Sequence, residues 1–396
     1  MTETLRCDVL VVGAGIAGAT VALELANAGA SVVVAERGAV CSGSSGLNAG
    51  GLRQQFTQRT SILAGKATIE RMASFEAEFG IDPAFRQAGY LFLHNGGRHG
   101  ATLRKAVAVQ NEHGVDTRLI GNLELADLVP GINTEDLEGA AYGPHDGYMD
   151  PNSMVSGFAA GARRAGVKIL QDTPVTAVET LGGRVSGART GGPAVACDVL
   201  LNAAGAWAPG IARMYGAELP ITARRNQMFV LDRTPKPGGF TPLTIDLTLG
   251  IYLHSEGEGV VSGYAEAPEI KDPPAAIALD WDELPALVER LWHRVPLFEA
   301  ASVTHGWAGL IETTPDDNPV VGWTHLQNVY TVAGFSGHGM CLAPGLAPSI
   351  AAEVRGQTPA LPLEIYRLER FESGDVEPEG VWGGEAISRG TREVPA

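Results

Sequence analysis

Two short apolar runs near the N-terminus dominate the hydrophobic pattern of the chain. Residues 9–12 form an aliphatic run, VLVV, and residues 31–34 form a second run, SVVV. Runs of this length and β-branched content are typical of buried strands in a parallel sheet. The segment between them, 16–28, has a helical composition, and Gly29 is a helix stop signal. The pattern therefore predicts a strand–helix–strand unit at the start of the chain.

The turn between the first strand and the helix carries Gly13, Gly15 and Gly18 in the spacing G-x-G-x-x-G. In such a unit the first glycine allows a tight turn, the second lets the backbone approach a pyrophosphate, and the third lets the helix pack on the strand. The helix N-terminus favours phosphate through its free N–H groups and dipole. Glu36 closes the unit and suits hydrogen bonds to ribose hydroxyl groups, which disfavours a 2′-phosphate. The unit predicts a dinucleotide site; the alternative is an ordinary βαβ unit with glycines at its turn.

Further along, the chain alternates between two kinds of segment. A Gly- and Ser-rich loop over 41–56 leads into a helix predicted over 59–79. Residues 81–149 mix short strands with helices, and 219–307 is rich in strands. Between these two segments, Asp150 and the proline that follows it predict the start of a helix.

This order of segments predicts an α/β protein with two domains. A Rossmann-like nucleotide-binding domain is predicted to be discontinuous, over residues 1–80, 150–218 and 320–371. A second, α+β domain on a mixed or antiparallel sheet is predicted over residues 81–149 and 219–319. Residues 372–396, which are rich in Gly and Glu, are predicted to form a loose C-terminal tail.

Composition narrows the classes of partner. The 396 residues favour two domains, and 45 acidic against 29 basic residues give a net charge of −16. This charge argues against nucleic acid or an anionic membrane surface as a partner. The four cysteines are scattered and the nine histidines lack ligand spacing, so we expect reduced thiols, no metal site and a cytoplasmic protein. No stretch has the composition of a transmembrane helix.

Four further sequence blocks accompany the N-terminal one, and in order they cover nearly the whole chain. Together they resemble the D-amino acid oxidase and sarcosine oxidase superfamily of FAD-dependent oxidoreductases, and within it the sarcosine oxidase-like enzymes and the flavin subunits of amino-acid dehydrogenases. The blocks are VVGAGIAGATVALELANAGASVVVAER, SSGLNAGGLRQQF, LLNAAGAWAP, GWAGLIETTPDDNPVVG and VYTVAGFSGHGM.

The resemblance implies that FAD lies along the first domain and that substrate lies between the flavin ring and the second sheet. Ser44 and Ser45 are implied near the pyrophosphate, Val175 at the adenine end, and residues 337–340 at the flavin ring. A helix N-terminus at the ring would stabilise the anion of reduced flavin. The cofactor-binding residues implied are Gly13, Gly15, Ile16, Ala17, Gly18, Glu36, Arg37, Ser44, Ser45, Val175, Ala204, Gly205, Trp207, Gly337, His338, Gly339 and Met340.

Four side chains are candidates for the chemistry. Arg53 matches an arginine that binds the substrate carboxylate in sarcosine oxidase-like enzymes, and a guanidinium can hold a carboxylate by two parallel bonds; the alternative is an exposed ion pair. His338, in the flavin-facing turn, is predicted to polarise the reduced flavin or to tune the pKa of the substrate. The alternative is a structural histidine. Tyr252 and His254 share one face of a strand that matches a substrate-cavity strand, or else are core or surface residues.

Three positions depart from the sarcosine oxidase-like pattern. Val261 stands where many of these oxidases hold a lysine over the flavin, which predicts slow use of oxygen and dehydrogenase behaviour. Ala308 is the nearest match to the cysteine that attaches FAD in monomeric sarcosine oxidases, so we expect non-covalent FAD. Cys341 stands where those enzymes use a second cation for the carboxylate, which argues against a simple sarcosine-like substrate.

The sequence therefore predicts FAD-dependent oxidation of a secondary or N-alkylated amino acid (sarcosine-like, proline-like or opine-like) to an imine by hydride transfer to flavin N5. One alternative is oxidation of a 2-hydroxy acid or a D-amino acid. Another is a flavin subunit of a larger dehydrogenase assembly. The expected partners are an amino-acid-like substrate with a carboxylate and either an electron-accepting subunit or a second copy of the chain.

Overall fold

A computed structural model describes residues 4–232, 241–264, 269–270, 273, 277–374 and 376–380. Within these ranges the strands, labelled β1–β19 in chain order, are Leu5–Val12, Val32–Ala35, Gly51–Leu52, Tyr90–His94, Arg118–Ile120, Gly139–Gly143, Gly147–Tyr148, Lys168–Leu170, Val175–Leu181, Arg184–Thr190, Val195–Asn202, Thr222–Asp232, Leu243–Asp246, Ile251–Glu256, Gly259–Tyr264, Glu269–Ile270, Ser302–Thr313, Val320–Trp323 and Val329–Ala333. The helices, labelled α1–α10, are Ile16–Asn27, Arg59–Met72, Phe75–Phe79, Gly97–Glu112, Asn122–Leu128, Pro151–Arg164, Ala208–Met214, Leu284–Arg294, Gly339–Val354 and Arg370–Ser373.

The first sheet has the strand order β18-β19-β11-β1-β2-β8, and the β9–β10 hairpin extends from β11. β1 lies at its centre and pairs in parallel with β11 and β2, while β18 is an antiparallel edge strand. Helices cover both faces, so β2 and β19 are buried along their whole length. This doubly covered arrangement is the predicted Rossmann-like sheet.

The helix predicted after Asp150 begins as the sequence indicates. The Asp150 carboxylate accepts a 2.6 Å hydrogen bond from the Ser153 N–H, and Pro151 occupies the first helical position. The resulting α6 packs with α1, α2 and α9 in one apolar cluster against the first sheet. The cluster holds the N-termini of α1 and α9 in fixed positions above the ends of the strands.

The second sheet has the order β16-β12-β15-β14-β13-β4-β6-β5, with β17 paired along β12. β13 and β4 run in parallel and the other pairs are antiparallel, so the sheet is mixed. Phe229 and Leu231 on one side of the sheet pack against Leu287 and Leu291 of α8. Tyr252 on the other side belongs to a separate apolar cluster with Met228 and Val261. The predicted fold class, α/β with a second α+β part, is confirmed.

Two local predictions differ from the structure. The helix predicted over 59–79 is divided into α2 and α3, because the chain turns at Ala73–Ser74. The turn lets Phe75 and Phe79 pack onto α6, where a Cβ at Gly157 would lie 2.5 Å from the Phe75 ring. The spacing of apolar residues over 59–79 does not reveal this contact, because α6 is far away in the sequence.

The C-terminal residues 376–380 pack on the body of the protein, so the predicted loose tail is wrong for them. The Glu379 carboxylate is buried and accepts hydrogen bonds of 3.1 Å from the Thr57 N–H. The Asn318 side chain donates to the Glu377 carbonyl oxygen at 2.9 Å. The remainder of the predicted tail, 381–396, lies outside the described residues.

Candidate active site and cofactor cavity

A cavity of about 510 Å³ opens at the carboxyl ends of β1, β2 and β11. Open α/β sheets bind ligands at this position, where loops leave the parallel strands. The cavity wall contains most of the predicted cofactor-binding residues, namely Gly13, Gly15, Ile16, Ala17, Glu36, Arg37, Ser44, Ser45, Val175, Ala204, Gly205, Trp207, Gly337, Gly339 and Met340. Gly18 and His338 lie outside the wall. For all these residues, binding to a cofactor stays a prediction.

The glycine turn is built from close backbone contacts. Gly13 has a φ of +103°, and a Cβ there would lie 2.6 Å from the Ala203 carbonyl oxygen. A Cβ at Gly15 would lie 2.9 Å from the Ser45 hydroxyl oxygen, and one at Gly18 would lie 2.0 Å from the Gly13 carbonyl oxygen. Gly18 therefore packs α1 on the turn, as the motif predicts, and has no place in the cavity wall.

The N-terminus of α1 and the serine loop form one end of a polar cradle. The Ile16 N–H donates a 3.0 Å hydrogen bond to the Ser45 hydroxyl. The Ser44 hydroxyl is buried and has no hydrogen-bond partner. A buried hydroxyl without a partner costs free energy, so this group is suited to donate to a ligand oxygen. A phosphate at the helix N-terminus supplies such an oxygen.

Glu36 is held in place from both sides. Its carboxylate oxygens accept hydrogen bonds from the Ala14 N–H at 2.7 Å and the Gly38 N–H at 2.9 Å. A carboxylate has about four acceptor sites, so capacity for ribose hydroxyl groups remains. Beside it, the Arg37 guanidinium lies 3.6 Å from the centroid of the Trp207 ring, and burial lowers the pKa of Arg37.

The other end of the cavity is formed by the turn before α9. Gly337 has a φ of +84°, and Gly339 and Met340 of the first helical turn line the wall. His338 precedes them as the helix N-cap residue, and its ring is buried with a 5.4 Å edge-to-face contact to Phe56. Neither ring nitrogen has a hydrogen-bond partner. Burial, and secondly the charge of Arg53, lower the pKa of His338 well below its usual value, so the ring is neutral.

Arg53 is only 3% exposed, so the alternative prediction, an arginine in an exposed ion pair, is wrong. Its guanidinium lies 4.0 Å from the Phe56 ring centroid, and its Nη1 donates to the Gln55 carbonyl oxygen. The Tyr90 hydroxyl also interacts with it, whereas Nη2 has no hydrogen-bond partner. A buried guanidinium with an unpaired N–H group favours an anionic ligand.

Asp146 belongs to the same cluster, and sequence reasoning missed it. It lies in the loop before β7 and is 1% exposed. It accepts hydrogen bonds from Gln54 at 3.0 and 3.1 Å and from Gln55 at 3.0 Å. Burial raises the pKa of Asp146 to about 6. Asp146 holds the loop that carries Arg53, and the 92 residues between it and Gln54 hide this contact in the sequence.

Tyr252 and His254 share the strand face that the alternation predicts, with different surroundings. The Tyr252 hydroxyl lies 3.4 Å from the Asn226 side-chain nitrogen. Both ring nitrogens of His254 contact backbone carbonyl oxygens, Ser255 at 2.9 Å and Ala49 at 2.8 Å. His254 therefore matches the alternative of a core histidine, because a backbone carbonyl oxygen lies against each ring nitrogen and neither nitrogen faces a substrate.

The three departures from the family pattern have clear surroundings. Val261 is 1% exposed and packs in the apolar cluster that contains Tyr252. Ala308 pairs with Gln227, which bonds to Asp280 on the α8 side, so its side chain is directed away from Tyr252. Cys341 is buried, its Sγ lies 3.5 Å from the Gly51 carbonyl oxygen, and burial raises its pKa.

Glu312 on β17 is a cavity residue that sequence reasoning did not identify. Its carboxylate lies 3.9 Å from the position of a Cβ at Gly205, and burial raises the pKa of Glu312 to about 7. It occurs in the GLIETTPDD block that carries the resemblance, but nothing in the local pattern distinguishes a cavity acid from an edge-strand acid.

These features fit FAD, and they define a class of protein. The glycine turn and the unpaired Ser44 hydroxyl fit a pyrophosphate, the held Glu36 fits a ribose, and a second helix N-terminus lies at the far end of the cavity. A dinucleotide cradle continued to a second helix N-terminus, beside a buried arginine and histidine, is typical of a flavin-dependent oxidoreductase.

Comparison with known proteins places the chain more closely. Its residues 8–353 match the DAO family, described as FAD dependent oxidoreductase, and the chain belongs to that family. It is 30% identical to the FAD-dependent oxidoreductase domain-containing protein 1 of Xenopus laevis, over 93% of this chain and 83% of that protein. FAD is thus the expected cofactor, and the predicted family is confirmed.

Two amino-acid dehydrogenases are also similar. Homo sapiens mitochondrial sarcosine dehydrogenase is 27% identical over 92% of this chain, which spans 41% of that protein. The crystal structure of L-proline dehydrogenase from P. horikoshii is 30% identical and superposes with a TM-score of 0.87, covering 95% of this chain and 100% of that one. This chain therefore shares its fold with L-proline dehydrogenase from P. horikoshii.

Two other kinds of feature do not occur among the described residues. No helix among them is long and apolar enough to span a bilayer. No group of three or more His, Cys, Asp or Glu side chains among them is arranged to hold a metal ion.

Proposed function

We propose that this protein oxidises the CH–NH bond of a secondary or N-alkylated amino acid to an imine, with non-covalent FAD as the electron acceptor. Sarcosine and proline, which give two of the similar enzymes their names, are both secondary amino acids. Bound FAD supplies the hydride acceptor. The protein itself supplies the binding, the orientation and the control of protons.

The observation that carries the proposal is the pairing of Arg53 and His338, both buried and both with unpaired nitrogens. The free Nη2 of Arg53 is suited to bind the substrate carboxylate. His338 is neutral, so one ring nitrogen can accept a hydrogen bond from the amine, and its neutrality disfavours a second positive charge beside Arg53. A deprotonated amine is the form whose C–H bond can be oxidised, so these two groups would select and activate an amino acid.

Apolar surroundings would strengthen both interactions. Phe56 and Phe92 flank the Arg53 guanidinium, with centroids at 4.0 and 5.4 Å. An anion that reaches this site loses water, so its attraction to the guanidinium is screened less than on a surface. Val261 places an aliphatic side chain near Tyr252. We propose accordingly that the reduced flavin reacts slowly with oxygen and that a protein or quinone-type acceptor takes the electrons. We also propose that the enzyme is cytoplasmic.

An anaerobic titration of the FAD-loaded protein tests the function. Sarcosine, N-methyl-L-alanine, L-proline, a D-amino acid and a 2-hydroxy acid are added in turn while the flavin absorbance is recorded. Bleaching by a secondary amino acid is the expected result. Bleaching by the hydroxy acid or D-amino acid alone would replace the proposal with the first alternative, and admission of air then measures the reaction with oxygen.

A variant links the result to Arg53. Arg53→Met removes the proposed partner of the substrate carboxylate. We expect kcat/KM to fall by about 100-fold, because a hydrogen bond between two charged groups is lost. Arg59→Met changes an exposed arginine at the start of α2 and serves as the matched control. Equal activity of the two variants would exclude Arg53 as the carboxylate site.

A further inference from the structure

Strand β12 carries two consecutive arginines with opposite surroundings. The Arg225 Nη2 forms ion pairs with Asp280 at 3.0 Å and Glu283 at 2.8 Å, on the α8 side of the second sheet. Arg224 forms no ion pair with any residue in the described ranges, and its buried Nε has no hydrogen-bond partner. Consecutive residues of a strand face opposite sides of the sheet, so Arg224 faces away from the acids that neutralise Arg225.

One residue of the cofactor-cavity wall, Ile311, lies on the side of the sheet that Arg224 faces, and Arg224 itself is not part of that wall. Arg224 pairs with Ile311 of β17, and paired residues of antiparallel strands project to the same side. Ile311 lines the cavity, and its side chain lies 3.8 Å from the position of a Cβ at Gly337, in the turn before α9. Arg224 therefore lies on the strand next to β17, directly opposite Ile311, and Ile311 is the residue that packs against this turn.

Two further polar groups follow on the same face. Asn226, two residues along β12, has a buried side-chain oxygen without a hydrogen-bond partner. Its nitrogen lies 3.4 Å from the Tyr252 hydroxyl. Arg224, Asn226 and Tyr252 thus form a row of a cation, a carboxamide and a phenol, with donors and an acceptor left over. This composition is suited to a charged, hydrogen-bonding part of a ligand.

Among the residues that the structure describes, none forms an ion pair with Arg224. Glu269 is its partner on the edge strand β16, but it is exposed and no ion pair joins the two. On the other flank stands Ile311, which is uncharged.

We propose that Arg224 binds a second carboxylate of the substrate, so that the substrate is an N-alkylated amino acid with two carboxylates. This proposal rests on the proposed function, in which Arg53 binds the first carboxylate. The second carboxylate is either on the amino-acid side chain or on the N-substituent. In both cases its two oxygens would accept hydrogen bonds from the Arg224 guanidinium, with the Asn226 amide beside them. Arg224 determines specificity and takes no part in the transfer of the hydride.

Isosteric pairs of substrates test the proposal on the FAD-loaded protein. N-methyl-L-glutamate is compared with N-methyl-L-glutamine, and iminodiacetate with its monoamide, as reductants of the flavin under anaerobic conditions. At least one acid is expected to exceed its amide about tenfold or more in kcat/KM, the range for a hydrogen bond to a charged group. Arg224→Gln should abolish the preference, and Arg224→Lys should restore part of it.

Arg225→Gln is the matched control, because it removes the neighbouring charge on the other face and should leave the preference intact. Calorimetric binding of glutarate against glutaramate, measured for wild type and Arg224→Gln, gives a readout that needs no oxidation. If no amino acid reduces the flavin but glutarate binding depends on Arg224, the proposed function fails and the anion site stands. If acid and amide are equal in the wild type, or the preference persists in Arg224→Gln, the proposal is overturned.

Discussion

The cofactor side of the site, which is the cavity wall, and the proposed substrate side next to it are constructed in different ways. The cofactor side consists largely of backbone, with Gly13, Gly15 and the α1 N-terminus brought together by residues close in sequence. The proposed substrate side consists of side chains from β4, β12 and β14, which only the pairing of the second sheet brings together. The cofactor side therefore leaves no room for a side chain at Gly13 or Gly18, whereas the proposed substrate side can change its charges while the sheet stays the same. That difference explains how one fold serves several amino-acid substrates.

The largest effect is expected at a buried charge that supports the substrate side. Arg294 at the end of α8 is fully buried and contacts Asp246 at 2.6 Å and Asp136 at 2.8 Å. Arg294→Met leaves these carboxylates without their cation, and loss of one partner of a buried ion pair costs about 3–5 kcal/mol. Urea denaturation should record this loss. Arg118→Met, which removes an exposed pair with Glu124, should cost less than about 1 kcal/mol. Equal losses would show that buried charges do not hold the second sheet.

The cofactor side should be broken by a single methyl group. Gly18→Ala places a Cβ 2.0 Å from the Gly13 carbonyl oxygen, a backbone atom that cannot move without opening the turn. Such overpacking costs about 1–3 kcal/mol or more, and it should also abolish FAD retention during purification. Gly15→Ala meets only the Ser45 hydroxyl, which would rotate and give up its hydrogen bond from the Ile16 N–H, so we expect a loss of about 1 kcal/mol and retained FAD. A soluble Gly18→Ala protein that retains FAD would contradict this view.

The same contrast explains what the sequence could predict. The glycine turn, Glu36 and the helix after Asp150 follow from local spacing, and the structure has them at the cavity or in the helix as expected. The blocks that carry the family resemblance predicted the turn before α9 in the same way. Local sequence determines these features because each one is formed within a few residues or one βαβ unit.

The substrate side was less predictable because it depends on register. Alternation placed Tyr252 and His254 on one face, but it could not show that a backbone carbonyl oxygen lies against each ring nitrogen of His254. Arg224 and Arg225 look identical in sequence, and only the pairing of β12 with β17 distinguishes them. Pairing between strands far apart in the chain is a tertiary property that no single-strand pattern contains.

The pH dependence of the apoprotein should reveal the cavity acid Glu312. Burial raises its pKa from 4.5 to about 7, so the folded state binds a proton that the unfolded state releases. The stability that this bound proton contributes is therefore present at low pH and is lost as pH rises from about 4.5 to 7. Relative to Glu312→Gln, the wild type should be less stable at pH 8 than at pH 5, by about 2 kcal/mol. Urea denaturation at both pH values measures the difference, and identical pH profiles would exclude a buried, protonated Glu312.

The smallest effect separates two neighbouring serines on the cofactor side. Ser44→Ala removes a hydroxyl that has no partner within the protein, so the apoprotein should keep its stability. Its FAD dissociation constant, measured by flavin fluorescence, should rise about three- to tenfold, because a hydrogen bond to a phosphate oxygen is lost. Ser45→Ala removes the acceptor of the Ile16 N–H and should lower apoprotein stability by about 1 kcal/mol, as loss of a helix cap does. If Ser44→Ala instead destabilised the apoprotein and left FAD binding unchanged, the unpaired hydroxyl would be a packing feature, and the polar cradle would begin at Ser45.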